Sequence, residues 1–260
     1  FPIRMNFIQP YRCKNVLLEG ITVLNSPMWC INPVLCENVT VKDVTVDSHG
    51  SNNDGCNPES CKNVLITGCY FDTGDDCIAI KSGRNEDGRI VNKACEKLLI
   101  RNCRAEEGHG GIVIGSEMSG GVKNIHVHDC VFNGGERGIR LKSMRGRGGV
   151  VENLIFEDIE INNLREEGII LNMYYGSTTV EPRTELPPLF RNIYIKNISG
   201  ENIAKPVVLN GLPEKKMENI TLENISLSGK ETLTAADVNN LQLDRVNLEL
   251  DSEEQFCFSD

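Results

Sequence analysis

Apolar residues in this chain recur in short alternating runs that restart at a common signal. Nine segments align on it without gaps: Cys13-Lys14-Asn15-Val16, Cys36-Glu37-Asn38-Val39, Cys61-Lys62-Asn63-Val64, Cys95-Glu96-Lys97-Leu98, Val122-Lys123-Asn124-Ile125, Val151-Glu152-Asn153-Leu154, Phe190-Arg191-Asn192-Ile193, Met217-Glu218-Asn219-Ile220 and Val238-Asn239-Asn240-Leu241. Their starts lie 21 to 39 residues apart, so the length of a repeat varies while its signal does not. One and three positions after the Asn the chain is apolar (Val64 and Ile66; Ile125 and Val127), the alternation of a strand with one buried face. Five positions after it stands a residue that tolerates unusual dihedrals (Gly20, Asp43, Gly68, Asp129, Asn197), which predicts a corner. A second alternating pair follows the corner (Val44 and Val46; Ile159 and Ile161), and then a further strand: Cys77-Ile78-Ala79-Ile80, Gly111-Ile112-Val113-Ile114, Gly138-Ile139-Arg140-Leu141, Gly168-Ile169-Ile170-Leu171.

Several short strands per repeat, without helical periodicity, predict an all-β solenoid: a right-handed parallel β-helix running through residues 1–260 as one domain. A leucine-rich repeat is the alternative, but its regular leucine spacing is missing. The composition agrees, with 40% hydrophobic residues and only 5% aromatic ones, which suits thin stacked layers better than a wide core filled by rings.

The same register assigns the eleven cysteines. Cys13, Cys36, Cys61 and Cys95 share one inward position, and Cys69, Cys103 and Cys130 another. They are expected to be free thiols acting as small core hydrophobes, and no CxxC spacing suggests zinc. The Asn position reads as a ladder of hydrogen-bonded amides. No run of about 18 apolar residues predicts a membrane-spanning helix. The chain begins at Phe1 without a basic-then-apolar leader, and is expected to be a fragment or processed chain.

A structural repeat does not require charge at the start of adjacent strands, so the exceptions mark candidate chemistry. In the register of the last strand, Asp54, Asp76 and Gly110 share one column, and Asn53, Asp75, His109 and Glu136 the preceding one. Asn57, Ala79, Val113 and Arg140 form another column, and Glu59, Lys81, Gly115 and Lys142 another. Coils stack about 4.8 Å apart, so Asp54, Asp75 and Asp76 are expected to cluster, with His109 one coil further and Arg140 and Lys142 on the next. Three carboxylates so close raise at least one pKa by repulsion, which leaves a protonated acid beside ionised bases. Glycosidic hydrolysis needs that pair of states. Each element alone has a plainer explanation: Gly74-Asp75-Asp76 as turn chemistry or a calcium site, His109 as a surface residue, Glu136 and Glu106-Glu107 as solvated charge.

Asn53-Asp54, Gly74-Asp75-Asp76, Gly108-His109-Gly110 and Arg140-Leu141-Lys142 together resemble the four ordered motifs of glycoside hydrolase family 28, the polygalacturonases, usually written N-T-D, G-D-D, G-H-G and R-I-K. This chain reads N-N-D and R-L-K, which leaves the chemical groups in place. The resemblance implies an inverting hydrolase of α-1,4-galacturonosidic bonds in pectic polysaccharide. By it Asp75 is the general acid, Asp54 and Asp76 hold and activate water, and His109 supports the acid. Arg140 and Lys142 bind a galacturonate carboxylate, with Asn53 beside them. A Tyr in a following coil often completes the sugar site in that family; Tyr174 or Tyr175 is the candidate, Tyr174 ranked first. Family members usually carry further N-terminal coils and a cap, expected to be missing here. The substrate favours a secreted or periplasmic setting, and neither metal nor cofactor is expected.

Electrostatics decides among partners. The net charge of −10 opposes a general nucleic-acid binder. Basic residues nevertheless gather at Arg137, Arg140, Lys142, Arg145 and Arg147, with no acidic residue among them and glycines between. That strip reads as a loop closing on a polyanion, and no aromatic residue interleaves it to stack bases. Rhamnogalacturonan or decorated pectin as substrate, a non-catalytic glycan-binding β-helix, and a calcium-dependent lyase remain the alternatives.

Overall fold

The computed structural model describes residues 4–176, 186–250 and 256–259. Every pairing between its strands is parallel, and coil stacks on coil around a narrow core. The expected right-handed parallel β-helix is the fold. Among the described residues one α-helix occurs, Asn85–Val91.

Three strips run along the helix. In the first, Val16 pairs with Val39, then Val64, Leu98, Ile125, Leu154, Ile193, Ile220 and Leu241, which are the nine repeats in their predicted register. The second begins with Thr22–Leu24, Thr45–Ser48, Tyr70–Thr73 and Arg104–Ala105, and continues in the later halves of long strands such as Val122–Asn133. The third links single bridges at Ile8, Ile31 and Cys56 to Ile78–Ile80, Ile112–Gly115, Ile139–Lys142 and Leu164–Asn172.

The Asn signal works through its backbone and its amide together. Asn15, Asn38, Asn63, Asn124, Asn153, Asn192, Asn219 and Asn240 all have φ near 57° (55° to 58°), the left-handed region that Asn tolerates. Their amides then bond from coil to coil: Asn38 donates to Asn15 (2.9 Å), Asn192 to Asn153 (3.1 Å), Asn219 to Asn192 (2.9 Å) and Asn240 to Asn219 (2.8 Å). Lys97 holds the same backbone conformation without an amide, and there the ladder is interrupted. The corner residues behave alike, with φ of 65°, 51°, 65°, 52° and 52° at Gly20, Asp43, Gly68, Asp129 and Asn197.

The core is made of residues from the three strips, among them Ile66, Ile78, Ile100, Ile112 and Ile114, each fully buried. Each such side chain removed from water contributes about 1.5–3 kcal/mol. Phe71, Ala105 and Phe132 occupy one inward position on three coils, so a small residue separates two rings. The eleven cysteines are free; Cys36, Cys61, Cys95, Cys69, Cys103 and Cys130 are buried in their two expected columns. Cys13 departs from the expectation. It lies in its column next to Cys36 but is exposed.

Candidate active site

The bridge from Cys56 to Ile78, and the strand pairings from Ile78 to Ile112 to Ile139, set the predicted columns. Asp54 and Asp76 therefore sit at the same point of adjacent coils, tied by the Gly55 N–H donating to the Asp76 carbonyl at 2.9 Å. The His109 N–H donates to the Asp75 carbonyl at 3.1 Å and brings the next coil into line. Glycine makes this closeness possible at two points. A Cβ on Gly108, whose φ is +120°, would lie 2.6 Å from the Asp75 carbonyl oxygen, and one on Gly111 would enter the Phe132 ring.

One carboxylate oxygen from each of Asp54, Asp75 and Asp76 lies within 4.8 Å of the others. Their surroundings differ. Asp54 is buried, accepts a 2.8 Å hydrogen bond from Asn57 Nδ2 and lies 3.7 Å from Lys81 Nζ. Burial pushes its pKa up to about 7; Lys81 opposes the rise, and repulsion from Asp76 and Asp75 adds to it. Asp76 accepts from Lys142 Nζ at 2.6 Å and from Arg140 at 3.4 Å. Asp75 is the most accessible, its side chain 16% exposed against 4% for Asp54 and 1% for Asp76. Burial raises the Asp75 pKa, but the His109 hydrogen bond and charge, the Asp76 N–H and Lys142 outweigh it and bring it to about 2. His109 Nδ1 lies 3.1 Å from Asp75 Oδ1, and that hydrogen bond raises the imidazole pKa against the effect of burial. The proton of this pair therefore rests on His109, while Asp54 protonates more readily than Asp75.

The structure brings Asp54, Asp75, Asp76, His109, Arg140 and Lys142 together, and places Asn53 and Tyr174 in other contacts. The Asn53 amide is engaged by its own neighbours. Its amide donates to the carbonyls of Ser26 (2.8 Å) and Met28 (3.1 Å) and accepts from Ser48 Oγ (3.0 Å) and the Gly50 N–H. With all four positions occupied and the residue 2% exposed, Asn53 pins the loop that delivers Asp54. Tyr175, not Tyr174, stands at the cations, its ring centroid 5.2 Å from Lys142 Nζ and 5.6 Å from the Arg140 guanidinium. Tyr174 packs against the core and under Arg145. Both follow the end of Leu164–Asn172, where strand alternation no longer says which way a side chain points.

The basic strip also differs from its expected role. Arg137 is paired with Glu136 and Glu167, Arg145 with Glu214, and Arg147 is buried against Ser116 and Asn85. Only Arg140 and Lys142 of the strip join the carboxylates. Glu136, expected to be solvated, lies 3.7 Å from His109 Nε2. The sequence columns give Asn57 and Lys81 no role, yet both reach Asp54; a Lys at an outward strand position one coil from Asp54 is the signal that marks it.

Residues 2–247 match the family model described as glycosyl hydrolases family 28, and the chain belongs to that family. The solved exopolygalacturonase of Thermotoga maritima is 38% identical, with a TM-score of 0.84 over 99% of this chain and 55% of that one. A polygalacturonase from Erwinia carotovora ssp. carotovora is 28% identical, with a TM-score of 0.73 over 93% of this chain and 59% of that one. A probable polygalacturonase of Vitis vinifera is 28% identical over 86% of this chain and 47% of its own. The chain spans about half the length of the curated relatives it matches.

Proposed function

We propose that this chain carries the active site of a hydrolase that cleaves α-1,4-galacturonosidic bonds of polygalacturonate by an inverting acid/base mechanism. One observation carries the reading: three carboxylates with oxygens within 4.8 Å of one another, bordered by Lys142 and Arg140. Asp75 is the proton donor, since it is the carboxyl that a leaving oxygen can reach. Its proton comes from the pair it forms with His109. A sugar seated over Asp75 removes its remaining water, and desolvation then favours the protonated carboxyl over the carboxylate. Asp54 and Asp76 hold the attacking water between them and take its proton.

The nearest-oxygen spacing is shorter than the ~6.5–9.5 Å between carboxyl groups usual for inverting pairs. Inversion is proposed instead because two carboxylates are available to share one water. Lys142 and Arg140 supply the recognition of substrate: cations this little exposed suit a uronate carboxylate, whereas a neutral rhamnose offers them no charge and leaves both with Asp76.

A second assignment, with Asp54 as donor, is favoured by its raised pKa. Chemical rescue separates the two: an activated leaving group restores the variant lacking the acid, and azide the variant lacking a base. The function itself is tested by reducing-sugar release from polygalacturonate in EDTA. Asp75→Asn is expected to lower turnover by at least ~10³-fold with the circular dichroism spectrum unchanged; near-normal turnover would remove Asp75 from the mechanism.

A further inference from the structure

Lys81 is a buried cation beside the reacting carboxylates, with its side chain only 4% exposed. It occupies an outward position just past Ile78–Ile80, bridged to Glu59 on the preceding coil, and Gly115 opposite it on the next coil has no side chain to fill the space. Its Nζ donates to Glu117 Oε2 at 3.1 Å and to the Gly115 carbonyl at 3.3 Å, lies 3.7 Å from Asp54 Oδ2, and sits 4.8 Å from the centroid of the Trp29 ring. An ammonium this deep is stable only when carboxylates and dipoles replace its water. Glu117 and Asp54 provide that charge, and they share it unequally, because Glu117 is at hydrogen-bond distance and Asp54 is not.

The charged groups around this cation are few. Asp76 and Glu59 act on Lys81 from its own coil and the preceding one. Glu117 also feels Lys142 and Arg147, and Asp54 also feels Asp76 and Asp75. For Glu117, burial acts upward, yet Lys81 and its other partners hold the carboxyl down at about 2. For Asp54, burial wins despite Lys81. The contrast follows the distances.

We propose that Lys81 is a positioning residue for the hydrolysis: it holds Asp54 in the ionised form that activates water, and Glu117 sets how much of its charge Asp54 receives. The proposal rests on the assignment of Asp54 to the water-activating pair. It gives Lys81 and Glu117 opposite effects on one titration. Removing Lys81 takes away the nearest opposite charge and raises the Asp54 pKa. Removing the charge of Glu117 leaves the cation to Asp54 alone and lowers it.

The test follows the Asp54 carboxyl by ¹³C NMR, assigned with Asp54→Asn, together with the acid limb of kcat/KM on polygalacturonate, which reports the free enzyme's base. Lys81→Met is expected to move both to higher pH by about 1–3 units, on the scale of an opposite charge at this range. Glu117→Gln is expected to move both to lower pH, and Lys81→Arg to stay near the parent. A residue that merely filled space would not give shifts of opposite sign. An unmoved Asp54 in both variants, or shifts in the same direction, overturns the proposal. If Lys81→Met fails to fold, Glu117→Gln decides alone: a downward shift supports the proposal and any other result overturns it. Failure of the functional reading looks different. A parent that releases no sugar while its Asp54 titration moves as stated overturns the hydrolase reading and the catalytic part of this proposal, and leaves the electrostatic link standing.

Discussion

Lys142 Nζ lies 2.6 Å from Asp76 Oδ2, reaching back across two coils from Ile139–Lys142 to the turn before Ile78–Ile80. The cation proposed to hold substrate is therefore bonded to a carboxylate proposed to activate water, with Arg140 a more distant second at 3.4 Å. A uronate carboxylate that arrives there competes with Asp76 for Lys142. On the proposed mechanism, binding and the state of the water-activating pair are thus linked through one side chain.

This separates the two cations. Arg140→Ala is expected to cost roughly 2–4 kcal/mol in kcat/KM on polygalacturonate, on the scale of losing one partner of a desolvated charge pair, and much less on methyl-esterified pectin, whose carboxyls are neutral. Lys142→Ala is expected to lower activity on both, because it also leaves Asp76 buried without its closest cation. Initial rates on the two polymers measure this. A parent that cut esterified pectin or rhamnogalacturonan as well as polygalacturonate would contradict the role given to the pair.

The His109–Asp75 pair makes stability depend on pH with a definite sign. His109 has a raised folded pKa, so its contribution is complete below its ordinary value of about 6.5 and is lost as pH rises through the folded value. Asp75 has a lowered one, so its contribution is complete above its ordinary value near 3.9 and is lost as pH falls toward about 2. His109→Ala should therefore lower Tm most between about pH 4 and 6.5 and less on either side. His109 is 44% exposed, so solvent screening keeps the effect small. A Tm loss as large at pH 9 as at pH 5 would contradict the pairing.

In the same variant the alkaline limb of the rate profile is expected to move toward lower pH. The proton needed by the leaving oxygen then resides on Asp75 alone, without an imidazole to hold it at higher pH. An alkaline limb that stays in place would show that His109 does not store this proton.

The ladder makes a prediction about stability. Asn219 has φ of 56°, donates to Asn192 and accepts from Asn240. Asn219→Ala removes both bonds and places a poorly suited residue in the left-handed region, at a cost of about 1–3 kcal/mol. Asn219→Gly loses the bonds but keeps the backbone free, and should cost less. Urea midpoints compare them, and an Ala variant as stable as the parent would contradict the ladder's role.

Most of the fold was legible because a β-helix repeats its instructions. The Asn, the corner residue and the alternating apolar pairs specify strand, bend and facing at each coil, and once the register was set it carried Asp54, Asp76 and His109 to their places. What escaped lay where the register stops or where long side chains cross it. Asn53 stands in a turn, with Asn52 at φ 55°, so its column did not determine its direction. Tyr174 and Tyr175 follow the end of a strand. The contacts of Lys142 with Asp76 and of Arg145 with Glu214 span coils by side-chain reach, which spacing along the chain does not encode.

The most direct measurement is the ¹H NMR spectrum of the first product released from polygalacturonate in EDTA, with Asp75→Asn as the control. Inverting hydrolysis of an α-linkage by the three carboxylates predicts a new reducing end that appears first as the β-anomer, and its absence in the control. An α-anomer, an unsaturated product, or the same release from Asp75→Asn would contradict the account.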